Sequence, residues 1–266
     1  MNTLWAAAES TNQRMQGPNA ECCAAGGADK VQSGVLGSGS ESCLSDLPIY
    51  EAPCFDSRSK VGVIVAYDVF AFKVRQTVIR VRPPRGRECD CLGTRQVANT
   101  RTQCDRLARL LGCPVVMPDF YRGGVSPMSD PSLGDFMSWV TTGNRKWESV
   151  ERDLDTTLAH LKAKGCETFA LVGFCWGGYV ALQAAATGKF ACTVGVHAAL
   201  TLTGDSSGAC TEQVARLKAP IMLLQAGNDP DLKPTAQAMK ALEGLGDKCV
   251  ARTFWDCDHG WAAARG

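Results

Sequence analysis

The sequence predicts an α/β fold on a mostly parallel sheet, and three observations carry that prediction. Val61–Tyr67, Cys113–Tyr121 and Ile221–Gln225 are largely apolar stretches with many β-branched residues, as expected of strands buried on both faces. Between them lie segments whose apolar residues recur at spacings of three and four, the period of a helix packed on one face. Strands alternating with helical segments of roughly 10–18 residues make βαβ units, whose crossovers require parallel strands.

The 266 residues, 45% hydrophobic and 21% charged, are enough to bury a sizeable core. A formal net charge of +1 creates no global field for nucleic acid. No apolar run reaches the roughly 18 residues that cross a bilayer. Neither a nucleic-acid partner nor a membrane is therefore expected. Residues 1–45 are rich in Ala, Gly, Ser, Asn and Gln, cannot bury enough area to offset their ordering entropy, and are predicted to be a flexible, cysteine-containing tail. Residues 46–266 form the predicted α/β domain.

Within that domain a short strand is expected at Leu47–Tyr50, followed by the buried strand Val61–Tyr67. Residues 74–93 interrupt the pattern with Pro83-Pro84 and a run of arginines. Lacking aromatic residues on which bases could stack, they are read as a basic, solvated insertion rather than a nucleic-acid surface. A helix follows over 102–111, with Cys104, Leu107, Ala108 and Leu111 on one face and Gly112 as its stop. After the strand Cys113–Tyr121, helices are predicted around 132–141 and 147–164, the second presenting Val150, Leu154, Leu158 and Leu161. The remaining elements are a strand at Thr168–Val172, a helix of small apolar residues over Tyr179–Ala186, and strands at Ala191–Val196, Ile221–Gln225 and Val250–Phe254.

Fourteen cysteines are an unusual count. The start Met1-Asn2-Thr3-Leu4-Trp5-Ala6 lacks the charged and apolar regions of a secretory signal, so a reducing, cytoplasmic compartment with mostly free thiols is expected. Cys22-Cys23 and Cys89-Asp90-Cys91 lack the paired spacing of a structural zinc site, and three histidines are few for a metal centre, so no metal is expected.

The chemistry concentrates in Leu171-Val172-Gly173-Phe174-Cys175-Trp176-Gly177-Gly178-Tyr179. A strand running through Gly-x-Cys-x-Gly into a helix is a nucleophile elbow, whose sharp turn raises the reactive side chain above the sheet. It also puts Cys175 at a helix N-terminus, where the dipole and free N–H groups favour a thiolate. The N–H of Trp176 then becomes one oxyanion donor, and the loop after the first buried strand offers a second at Val69. A general base is expected after the last strand, where only His259 fits the order nucleophile, acid, histidine. The acid should follow Ile221–Gln225; Asp229 is the first choice and Asp231 the runner-up, which a turn beside Pro230 would equally explain. Asp68 is a carboxylate placed to restrain the Cys175 thiol or to cap its own turn.

Together Gly173-Phe174-Cys175-Trp176-Gly177-Gly178, Tyr67-Asp68-Val69-Phe70, Met117–Gly123 and His259-Gly260-Trp261 resemble the dienelactone hydrolase family. The early Cys22-Cys23 pair also resembles a motif opening many eukaryotic members. The resemblance implies an α/β-hydrolase fold, a Cys175–His259–Asp229 triad acting on lactones or small esters through a thioester, and no cofactor. It further implies that an arginine after the histidine, here Arg265, helps to bind a substrate carboxylate. Three departures stand out. Asp68 occupies a position usually held by glutamate; the insertion 74–93 is generally absent from members; and the sequence reaches Gly266 without the C-terminal helix that members carry there, so a fold missing that helix is expected. These departures give the alternative reading, a catalytically inactive homologue with a binding or redox role, while the intact triad favours the enzyme.

Overall fold

The computed structural model describes residues 37–54, 56, 58–70, 95–124, 126–127, 132, 134–200, 215–229 and 249–263. Their centre is an eight-stranded sheet: β1 (Ser40–Leu44), β2 (Leu47–Glu51), β3 (Val61–Ala66), β4 (Val115–Pro118), β5 (Thr168–Phe174), β6 (Cys192–Val196), β7 (Ile221–Ala226) and β8 (Val250–Phe254). Across the sheet the strands run β1-β2-β4-β3-β5-β6-β7-β8, with β1–β2 and β2–β4 antiparallel and all other pairs parallel. The helices are α1 (Arg95–Leu111), the short α2 (Phe136–Val140), α3 (Trp147–Ala163) and α4 (Trp176–Ala185). No helix among the described residues is long and apolar enough to cross a membrane.

The predicted buried strands form the core. Val63, Ile64, Val65 and Ala66 of β3, Val115, Val116 and Met117 of β4 and Leu171 of β5 are all buried, as continuous apolar runs require when helices cover both faces. Helix α3 turns Val150, Leu154, Leu158 and Leu161 inward, the face that its apolar spacing predicts. Arg122, in the turn after β4, clamps α3 by a bidentate pair with Asp153 at 2.7 and 2.8 Å.

Chain order reverses at β3, which has β4 on one side and β5 on the other. β3 pairs with β5 in register from Val61↔Thr168 to Ala66↔Gly173, so the loops beyond Ala66 and Phe174 leave the sheet side by side. In an open parallel sheet this switch point at the carboxyl ends is where a ligand crevice forms.

Several elements differ from their predicted extents: α1 starts at Arg95 rather than at 102, α2 is confined to Phe136–Val140 and β5 runs on to Phe174. Of the stretch 1–45 assigned to a tail, Ser40–Leu44 form β1, paired with β2 from Ser40↔Glu51 to Leu44↔Leu47. This edge strand is held by its backbone ladder, so its polar sequence carries no apolar signal. β4 stops at Pro118 because the Asp119 carboxylate turns the chain, accepting from the N–H groups of Tyr121 and Gly123 and from the Tyr67 hydroxyl at 3.2, 2.7 and 3.0 Å. Helix α4 starts at Trp176, not Tyr179; Gly177 and Gly178 are poor helix formers, but the elbow needs them in the first turn. The insertion 74–93, the pairs Cys22-Cys23 and Cys89–Cys91, and the chain after Ala263 lie outside the described residues.

Candidate active site

β5 passes into α4 through a single residue, Cys175, which holds a left-handed backbone with φ 52° and ψ −109°. For a non-glycine residue this is strained, as expected where a nucleophile is forced above a sheet. The turn closes only because its neighbours lack side chains. A Cβ on Gly173 would lie 1.8 Å from the Gly177 carbonyl oxygen, and one on Gly177 would lie 2.1 Å from that of Ala66. Backbone bonds pin the elbow to both flanking strands. Cys175 N–H donates to Val196 O at 3.0 Å, Ala199 N–H donates to Cys175 O at 2.9 Å, and Gly177 N–H donates to Tyr67 O at 3.0 Å.

His259 and Asp229 reach this point from the loops after β8 and β7. The His259 Nδ1 and the Asp229 Oδ1 are 2.5 Å apart, and the Asp229 side chain is only 2% exposed. The second Asp229 oxygen accepts from Ala226 N–H at 2.8 Å, and Asn228 Oδ1 accepts from the His259 N–H at 2.6 Å, fixing both loops. Hydrogen bonds from His259 to Asp229 and then to Cys175 push the imidazole pKa up to about 10, against the opposing effect of burial. The structure thus pairs the predicted Asp229 and His259 directly and brings Cys175 within electrostatic reach of His259. Arg265 and the runner-up Asp231 lie outside the described residues.

Val69 and Trp176 sit at the paired ends of β3 and β5, Val69 in the turn after β3 and Trp176 as the first residue of α4, where helix N–H groups lack intrahelical acceptors. Asp68 is 3% exposed; one oxygen accepts from Phe70 N–H at 2.9 Å, while the other has no hydrogen-bond partner among the described residues. Asp68 therefore caps its turn and also lies within electrostatic reach of His259. Burial raises its carboxyl pKa to about 6, opposed by the Phe70 N–H and by His259. An acid whose folded pKa lies above its unfolded value of 3.8 binds protons more tightly when folded, so it subtracts stability as pH rises from about 4 to 6. Asp68→Asn is accordingly expected to stabilise the fold at pH 8, by about 3 kcal/mol and with a higher Tm, and to leave its stability unchanged at pH 4. Thermal melts showing the same change at both pH values would remove this account of Asp68.

Two further residues reach the site without having been singled out as functional. His197 follows β6 directly; its ring lies 5.0 Å from that of His259, and neither ring nitrogen has a partner among the described residues. Its place at the carboxyl end of a strand neighbouring β5 was the available signal. Tyr121 packs edge-on against Trp176 with ring centroids 4.9 Å apart, and its buried hydroxyl also has no partner among the described residues. Burial is the main cause of its raised pKa, and the Cys175 and Asp68 charges add to it, so the phenol lies within electrostatic reach of both. Only folding brings Tyr121 there.

A cavity of about 450 Å³ opens beside Arg145, Trp147, Trp176 and Tyr179. Trp176 joins it to the elbow, but neither Cys175 nor His259 lines it, so the reacting carbonyl is not placed there. Among the described residues no group of three or more His, Cys, Asp or Glu side chains is arranged to hold a metal ion.

The strand order, the switch point at β3 and the strand–elbow–helix unit are those of an α/β hydrolase. Within that class the chain belongs to the dienelactone hydrolase family, whose family model matches residues 89–266. It is 29% identical over 173 residues to the carboxymethylenebutenolidase homologs of Mus musculus and Rattus norvegicus, covering 62% of this chain and 65% of each relative. The chain thus spans about 65% of the length of these curated relatives. A dienelactone hydrolase-like promiscuous phosphotriesterase from metagenomic libraries shares the fold with a TM-score of 0.52 at 17% identity, over 81% of this chain and 79% of that one.

Proposed function

We propose that the protein hydrolyses a lactone or small carboxylic ester with Cys175 as nucleophile, His259 as general acid and base, and Asp229 as the carboxylate orienting His259. The observation that carries this reading is His259 paired with Asp229 at 2.5 Å and electrostatically coupled to Cys175 at the strained elbow. The sulfur, its proton held by His259, attacks the carbonyl carbon. The oxyanion is stabilised by the N–H groups of Val69 and Trp176, each typically worth about 3 kcal/mol. On collapse the carbonyl–oxygen bond breaks and the departing alkoxide takes the proton from His259; in a lactone that alcohol stays tethered to the acyl group. Water then attacks the thioester, His259 accepts its proton, and the carbon–sulfur bond breaks to release the acid and restore the thiol. Each step is covered by these side chains and water, so the proposal invokes no cofactor.

Membership of the dienelactone hydrolase family supports the lactone or ester class. Binding of a substrate carboxylate by Arg265, and a reducing, cytoplasmic location for the cysteine-rich chain, are parts of the same proposal. Mass spectrometry of enzyme quenched during turnover of p-nitrophenyl acetate is expected to show one acetyl adduct, on Cys175. An adduct on another residue, or full turnover with none formed on Cys175 in the pre-steady state, would overturn the thioester. Failure of any ester or lactone to turn over would instead favour the inactive homologue.

A further inference from the structure

Arg145 carries a charge that the fold leaves uncompensated. It is half-buried in the turn between α2 and α3; its Nε donates to the Trp139 carbonyl at 2.5 Å, and its guanidinium lies over the Trp139 ring at 4.2 Å. These contacts fix the group without neutralising it. Among the described residues no carboxylate pairs with it, and burial pushes its pKa down. Arg122, held against the same helix, is by contrast forked onto Asp153. A partly buried cation without a counter-ion is costly, so one held rigidly at a cavity points to an anion that comes from outside the chain.

The cavity of about 450 Å³ beside Arg145 has the size of a small-molecule site. Lys146 adds a second cation to its wall. It also holds the N-cap of α3 without offering a side-chain acceptor, so the positive end of that helix lies at the cavity. Glu148, in the first turn of α3, is the carboxylate of the lining; it lies within electrostatic reach of Tyr179 and leaves the two cations in excess. Trp147 and Tyr179, both half-buried, give the cavity aromatic walls. Trp176 completes the lining, and its buried Nε1–H has no partner among the described residues, a second polar group that the protein itself does not satisfy.

We infer that this cavity is a second ligand site, which takes an organic carboxylate with a flat apolar body, the carboxylate on Arg145 and Lys146 and the body against Trp147 and Tyr179. A guanidinium forks onto a carboxylate through two parallel N–H bonds, and aromatic walls favour a planar body over a bare ion. Neither Cys175 nor His259 lines the cavity, so its occupant is not the group under attack. The inference goes beyond the triad reading and needs no turnover.

Isothermal titration of 2-naphthoate into the full chain tests it. One equivalent is expected to bind, and 2-naphthamide, which keeps the body without the charge, should bind at least about 10-fold more weakly. Arg145→Met should cost about 10-fold or more in affinity, with Arg145→Lys, a point charge lacking the fork, falling between. Melting curves establish that both variants are folded, and the amide comparison needs no variant at all. Saturating 2-naphthoate should leave the alkylation of Cys175 by iodoacetamide, followed by peptide mass spectrometry, unprotected. Absence of saturable binding, equal affinity for acid and amide, or parental affinity in folded Arg145→Met overturns the inference. So does protection of Cys175 in step with occupancy, which would put the acid at the reactive centre. Cys175→Ala should bind 2-naphthoate like the parent, so a failure of the triad reading shows in hydrolysis and a failure of this one shows in binding.

Discussion

Cys175→Ala is expected to hydrolyse p-nitrophenyl acetate more than about 10³-fold more slowly than the parent, with its thermal stability nearly unchanged. The size of the loss follows from the chemistry, since no attacking atom remains and the thioester cannot form. The unchanged stability follows from the elbow. Cysteine and alanine both carry a Cβ, so the strain at φ 52° is the same for each, and the bonds to Val196 and Ala199 use only the backbone. Cys175 is buried, so losing one sulfur leaves a small void beside the reactive side of the elbow rather than in the middle of the sheet. The measurement is a steady-state rate beside a melting curve. Full activity in a folded alanine variant would mean that another group attacks the carbonyl.

The elbow was readable in the sequence because its geometry demands particular residues in contiguous positions: glycines where strand and helix backbones meet, and a nucleophile between them. The buried strands were readable for a similar reason, since a run such as Val63–Ala66 has nowhere to go but a core. Asp229 and His259 were legible only by their order along the chain; the contact between them joins loops after different strands. What local patterns could not reveal depends on tertiary placement. β1 is a polar strand defined by its partner, and Tyr121 enters the site because the Asp119 carboxylate reverses the chain after Pro118. His197 looks like an ordinary strand-end residue until the bonds bracketing Cys175 set its ring beside His259.

Asp229→Asn should leave a folded protein whose turnover falls by about 10³- to 10⁴-fold, the loss typical when the orienting carboxylate of a triad becomes an amide. Asp229 does two things at the site: it fixes which nitrogen of His259 bears a proton, and it is the largest cause of the raised imidazole pKa. The amide can hold the wrong tautomer and supplies no charge. The sign of the pH effect follows. A histidine raised from 6.5 to about 10 in the fold contributes stability that is complete below pH 6.5 and lost as pH climbs through about 10. In the parent, the alkaline fall in the hydrolysis rate of an alkyl ester is therefore expected near pH 10, where the imidazolium that protonates the departing alkoxide loses its proton. In Asp229→Asn that limb should move toward neutrality, and the stabilisation that the parent keeps below about pH 10 should be largely absent at every pH. An asparagine variant whose rate profile keeps its limb near pH 10 would show that His259 does not owe its proton to Asp229, and would pass the carboxylate role to Asp231.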